Sequence, residues 1–84
     1  MRYNFKTQGV CSRTVSFDME NGIVSNVAFE GGCNGNLKGI AALAEGKYAQ
    51  EVIDVLSGIR CGFKSTSCPD QFARALKIAM EENV

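Results

Sequence analysis

The sequence predicts an α+β fold: a three-stranded antiparallel sheet followed by three helices packed on one face, a two-layer sandwich. Three observations carry that reading. Apolar residues alternate with polar ones up to Phe29, the period of a half-buried strand. From Asn36 onward they recur at i, i+3, i+4 and i+7, the stripe of an amphipathic helix. Asn21-Gly22 between two alternating segments marks a hairpin. Strands first and helices afterwards favour an antiparallel sheet with helices segregated to one side.

In the first strand Tyr3 and Phe5 alternate with Arg2, Asn4 and Lys6. The second runs from Arg13 to Met19 with Val15, Phe17 and Met19 on one face. The third covers Ile23 to Phe29 with Ile23, Val27 and Phe29 inward. Parity bears on the turn. A two-residue Asn-Gly loop pairs Glu20 with Ile23 and sets Phe17 opposite Asn26 on a polar face. A three-residue loop, Glu20-Asn21-Gly22, pairs Met19 with Ile23 and Val15 with Val27, which keeps the apolar sets together as register requires. The expectation is therefore a type I turn with Gly22 in the left-handed region as a G1 bulge.

Leu37, Ile40, Ala41 and Ala44 form the first helical stripe, with Gly46 as its stop. Ala49, Val52, Ile53 and Leu56 form the second, ended by Ser57-Gly58. The third helix begins at Pro69, with Phe72, Ala75, Leu76 and Ala79 as its stripe. Pro69 suits the first helical position, where its missing N–H costs nothing. Cys68 is then expected at the N-cap and Asp70 in the first turn. A thiolate so placed meets unpaired N–H groups and the positive end of the helix dipole, which makes Cys68 the expected most acidic thiol.

The 84 residues make one domain, 1–84, with a small core. A hydrophobic fraction of 45% and a charged fraction of 21% are those of a globular protein. A formal net charge of zero disfavours a nucleic-acid binder driven by bulk charge. The N-terminus has no apolar core of signal-peptide length, and no apolar run reaches the roughly 20 residues that span a bilayer. The expected compartment is the cytoplasm, with no membrane association; thiols stay reduced there.

That compartment directs attention to the four cysteines, since the chain has no His. Cys11 lies in the loop sequence Gly9-Val10-Cys11-Ser12, Cys33 in Gly31-Gly32-Cys33-Asn34-Gly35-Asn36, Cys61 in Arg60-Cys61-Gly62, and Cys68 in Thr66-Ser67-Cys68-Pro69-Asp70. A lone buried Cys would more often sit inside an apolar helix or strand. None of these does, although no Cys-x-x-Cys pair is present. Cys33 and Cys68 both precede helices whose stripes must cover one sheet, so both are expected at one edge. Cys11, in a strand connection, and Cys61, seven positions before Cys68, can reach that edge.

Four converging thiolates would hold a tetrahedral zinc in a closed structural site. Three thiolates with Asp70 as an additional ligand, or with an open position, would suit an iron–sulfur cluster. Arg13, Arg60 and Lys64 stand near Cys11 and Cys61 in sequence and would offset the negative charge of such a site, or form a solvated basic face. The glycine run before the first helix lacks the ending of a P-loop, so nucleotide contact there would rest on helix-terminus N–H groups alone. Hydrolytic catalysis is disfavoured, because a cysteine nucleophile wants a paired base.

Thr66-Ser67-Cys68-Pro69-Asp70 resembles the signature of the TSCPD domain family, and the other cysteine segments extend the resemblance over nearly the whole chain. TSCPD domains also occur at the C-terminal end of B12-dependent ribonucleotide reductases. The resemblance implies an accessory role beside a protein partner of ribonucleotide-reductase type, or, as the alternative, an oxidoreductase subunit associated with ribonucleoside-diphosphate reduction that binds nucleotide; nucleic acid is a further candidate partner of a zinc-binding module. It does not imply reductase activity in the chain itself, which lacks the length for a catalytic barrel or a cobalamin site. The layout is also similar to NifU/IscU-type iron–sulfur scaffolds, with Cys33 and Cys68 matching two cluster-binding cysteines. The chain differs from them at Gly46-Lys47, where they carry a further Cys, and at Ser67, where they often carry His.

Overall fold

The computed structural model describes residues 2–10, 12–32, 34–60 and 62–82, apart from the side chain of Asn34. Strands β1 (Arg2–Lys6), β2 (Ser12–Glu20) and β3 (Ile23–Gly31) precede helices α1 (Asn34–Ala44), α2 (Ala49–Leu56) and α3 (Cys68–Glu82). The sheet is antiparallel in the order β1-β2-β3. The α+β sandwich expected from the change of period is the observed architecture.

The inward faces of β1 and β2 follow the alternation. Tyr3, Val15, Phe17 and Met19 are buried, and Phe5 packs on the same core. From the other layer come Ala44, Ala49, Val52, Ile53, Phe72, Ala75, Leu76 and Ala79. Aromatic rings join the layers. Phe17 stacks with Tyr3 and Phe5 at centroid distances of 5.6 and 5.9 Å. Phe72 meets Phe17 and Phe29 edge-on at 5.8 and 5.7 Å. Edge-on contact sets the positive ring edge against a negative face. It fixes the rotation of α3 over the sheet.

The hairpin differs from expectation. Glu20 pairs with Ile23, so the loop is the two residues Asn21-Gly22, with φ of 54° and 79°. Positive φ at both central residues defines a type I′ turn, whose twist matches that of the flanking strands. Gly22 has the expected positive φ, but the type I turn with a G1 bulge does not form. Met19 lies opposite Val24 and Val15 opposite Phe29. Val24 is therefore fully buried, whereas Ile23 is 37% exposed.

The extra residue that parity demands sits further along β3. Ser16 pairs with Ala28 and Asp18 with Ser25, so β3 carries one residue more than β2 in that interval. The bulge lies at Asn26, whose φ is 51°. Asparagine tolerates this conformation better than most side chains do. Its polar groups are met from three directions. The backbone N–H donates to Glu45 Oε1 at 2.8 Å, the side-chain amide donates to Asp18 Oδ2 at 2.8 Å, and Arg2 donates to the carbonyl at 2.6 Å. After the bulge Val27 and Phe29 point to the core.

A second register shift falls between Ser12 and Thr14, where Ser12 pairs with Gly31 and Thr14 with Glu30. Arg13 is the extra residue, without a register partner on β3. Strict alternation from Val15 would turn Ser12 outward; the bulge turns it inward, and it is 3% exposed. The connection from α1 to α2 also joins the sheet. Gly46 N–H donates to the Val24 carbonyl and Val24 N–H to the Lys47 carbonyl, at 2.8 and 2.9 Å. This segment covers the start of β3, an edge that would otherwise leave backbone groups unpaired.

Among the described residues no helix is long and apolar enough to cross a membrane.

Candidate functional site

The start of α3 is built from the pentapeptide 66–70. The N-cap is Ser67, not Cys68. Ser67 Oγ accepts the Asp70 N–H at 3.2 Å, and the Ser67 carbonyl accepts the Gln71 N–H at 2.8 Å as the first helical bond. A hydroxyl one residue upstream of the thiol caps the helix better than sulfur does. Cys68 is therefore the first helical residue. Pro69 follows in the first turn, where its missing N–H leaves no helical bond unmade.

Asp70 is buried at 4% exposure and serves as a latch. Its Oδ1 accepts the Gly58 N–H at 2.8 Å. Its Oδ2 accepts the Thr66 hydroxyl and lies 3.1 Å from an Arg74 guanidinium nitrogen. Burial pushes the Asp70 pKa up, but the bonds from Thr66 and Gly58 and the Arg74 charge outweigh it, and the net shift is downward from 3.8. Both oxygens are engaged inside the protein. To serve as a metal ligand, Asp70 would have to release one of these partners.

Ser67 makes a further tie, donating through its hydroxyl to the Ile59 carbonyl at 2.6 Å. Thr66 accepts from the Gln71 amide at 3.1 Å, and Gln71 Oε1 accepts the Gln8 N–H at 3.1 Å. The three polar residues of the pentapeptide thus hold the end of α2 against the start of α3.

The Cys68 sulfur faces the other way, towards the sheet. Cys68 stands four positions before Phe72, and residues so spaced share one helix face. With Phe72 locked among Phe17 and Phe29, that face is turned inward. Cys68 is half-buried and carries no disulfide. Its Sγ lies 3.2 Å from Ser12 Oγ. Ser12 in turn is held by Thr7, which donates its hydroxyl to the Ser12 carbonyl at 2.5 Å and its N–H to the Arg13 carbonyl at 2.9 Å.

Gly32 completes the arrangement, with φ of 80°. A Cβ there would stand 3.0 Å from the Ser12 nitrogen and 2.9 Å from Leu37 Cδ1. No other residue permits this approach of backbone to backbone.

Of the five site residues expected from sequence, Cys68 and Asp70 are described and lie on opposite sides of the α3 start. Cys11, Cys33 and Cys61 lie outside the described residues. Among the described residues no group of three or more Cys, Asp or Glu side chains is assembled for a metal. Sequence reasoning missed Ser12, Thr7 and Gln71. Ser12 was hidden because alternation assigns it to the outer face; its adjacency to Cys11 was the one available signal. A separate groove of about 270 Å³ between α1 and α2 is lined by Ile40, Leu43, Val52 and Val55, and Cys68 does not line it.

This fold and site define a small two-layer α+β domain in which a helix-opening cysteine is pressed against the end of the sheet. The TSCPD domain model matches residues 1–80, and the chain belongs to the TSCPD domain family. No curated protein matches the chain, and no solved structure does.

Proposed function

We propose that the chain is a metal-binding accessory domain in which Cys11, Cys33, Cys61 and Cys68 hold one zinc ion. The observation that supports this is the gathering of four chain segments around the start of α3. Ser12, next to Cys11, touches the Cys68 sulfur. Gly32, next to Cys33, lies against the Ser12 backbone. Ile59, two positions before Cys61, is bonded to Ser67. Each of these described residues stands one or two positions from a cysteine in sequence.

The donor set fits the metal. Thiolates favour zinc, and four of them close its coordination, which makes the site structural rather than catalytic. A bound zinc would supply folding free energy that a core of this size lacks. The family resemblance supports a role beside a larger partner of ribonucleotide-reductase type, in the cytoplasm.

Metal analysis of protein purified without oxygen tests the reading. One zinc per chain, lost when Cys68 and Cys33 are both replaced by Ser, is the expected result. Iron with acid-labile sulfide would replace it with the iron–sulfur scaffold reading. Protein that carries no metal and takes up none when zinc is added would overturn both.

A further inference from the structure

We infer that Ser12 is a positioning residue for the Cys68 sulfur: its hydroxyl donates a hydrogen bond to the thiolate and limits the charge that this sulfur gives to a bound metal. The inference rests on the metal reading above and adds to it a residue outside the cysteine set.

The backbone puts Ser12 there. The register shift at Arg13 turns the Ser12 side chain towards the helices, against the alternation of the rest of β2. A bulge leaves one residue unpaired and is kept where it re-aims a side chain. Here the side chain re-aimed is a hydroxyl, 3% exposed. A buried hydroxyl needs a partner. Two are within reach: Cys68 Sγ at 3.2 Å and Thr7 Oγ1 at 3.5 Å.

The choice between them follows from proton accounting. Thr7 has committed its own hydroxyl proton to the Ser12 carbonyl. A metal-bound Cys68 is a thiolate and has no proton to give. Ser12 must then be the donor, and the nearer, charged acceptor makes the stronger bond. Both ends of the contact are held. Thr7 clamps Ser12 at its carbonyl, and the Phe72 packing fixes the face of α3 that bears Cys68. A bond held in this way draws electron density from the sulfur and selects one rotamer for it. These are the two services that outer-shell groups perform at metal sites.

Cobalt(II) serves as the probe, because its thiolate-to-metal charge-transfer band reports sulfur donation directly. In cobalt-loaded S12A the band should move to lower energy, and cobalt affinity should fall about 10- to 100-fold. S12T, which keeps the hydroxyl, should restore both. A Ser12 that merely fills space would alter stability and leave the band unmoved, and that result overturns the inference. If S12A fails to fold, the comparison of S12T with the isosteric S12V decides, and identical spectra count against Ser12. If wild-type protein shows no thiolate-to-cobalt band at all, the metal reading itself falls and takes this inference with it. An unmoved band in loaded S12A removes only the role of Ser12.

Discussion

Gly58 donates its backbone N–H to Asp70 Oδ1 at 2.8 Å across 12 residues, and this bond ties the end of α2 to the first turn of α3. The carboxylate that accepts it is buried and also holds Thr66 and Arg74. Removing a charged acceptor from buried donors costs about 1–3 kcal/mol. Asp70→Asn should therefore lower stability by that amount near neutral pH, read from urea unfolding. The pKa of Asp70 is lowered in the folded state, so its stabilisation is present above the ordinary value of 3.8 and is lost as pH falls through the folded one. The gap between wild type and D70N should narrow below roughly pH 4. An equal gap near neutral pH and in acid would show that the charge is irrelevant.

Gly22 and Gly32 have nearly the same φ, 79° and 80°, and different surroundings. Nothing lies within 4 Å of a Cβ built at Gly22. Gly22→Ala should cost only the conformational term, about 1–2 kcal/mol. At Gly32 the same Cβ would meet the Ser12 backbone at 3.0 Å. Gly32→Ala should add an overpacking term of about 1–3 kcal/mol. Thermal unfolding of the two variants side by side checks this. Equal losses would mean that Gly32 yields freely and does not brace Ser12.

Phe72 is fully buried between the layers. Phe72→Ala should cost about 3–5 kcal/mol, a large part of the stability of a small domain. The same change frees the rotation of α3 that aims Cys68. Metal affinity should then fall together with the unfolding midpoint in F72A. A midpoint shift worth less than about 1 kcal/mol would contradict the packing described for this ring.

Chelation should separate metal from fold. Zinc bound by four thiolates in a small domain contributes on the order of 10 kcal/mol to folding. Exhaustive chelation under reducing conditions should lower the melting temperature sharply, and zinc added back should restore it. Circular dichroism before and after treatment is the measurement. Unchanged melting would mean that no metal supports this fold.

Much of the architecture was written in the sequence by itself. Tyr3, Val15, Phe17 and Met19 alternate, Phe72, Ala75, Leu76 and Ala79 recur at helical spacing, and each set is buried as its period demands. Period is a local property, because it follows from how each backbone conformation aims successive side chains. The sequence also determined that the hairpin needs one residue out of register, since two apolar sets must meet on one face. It did not determine where. The turn could have absorbed that residue; the structure puts it at Asn26, because Glu45, Asp18 and Arg2 are there to satisfy a bulged backbone. The candidate site divides in the same way. Residues 66–70 stood out as a helix start, yet the cap fell to Ser67, and the sulfur's neighbour proved to be Ser12, 56 residues away in sequence. A bulge adds one residue to one strand and so reverses which face every residue beyond it takes, while the local alternation on either side stays the same. Only partners brought together by the tertiary fold decide which residue it takes.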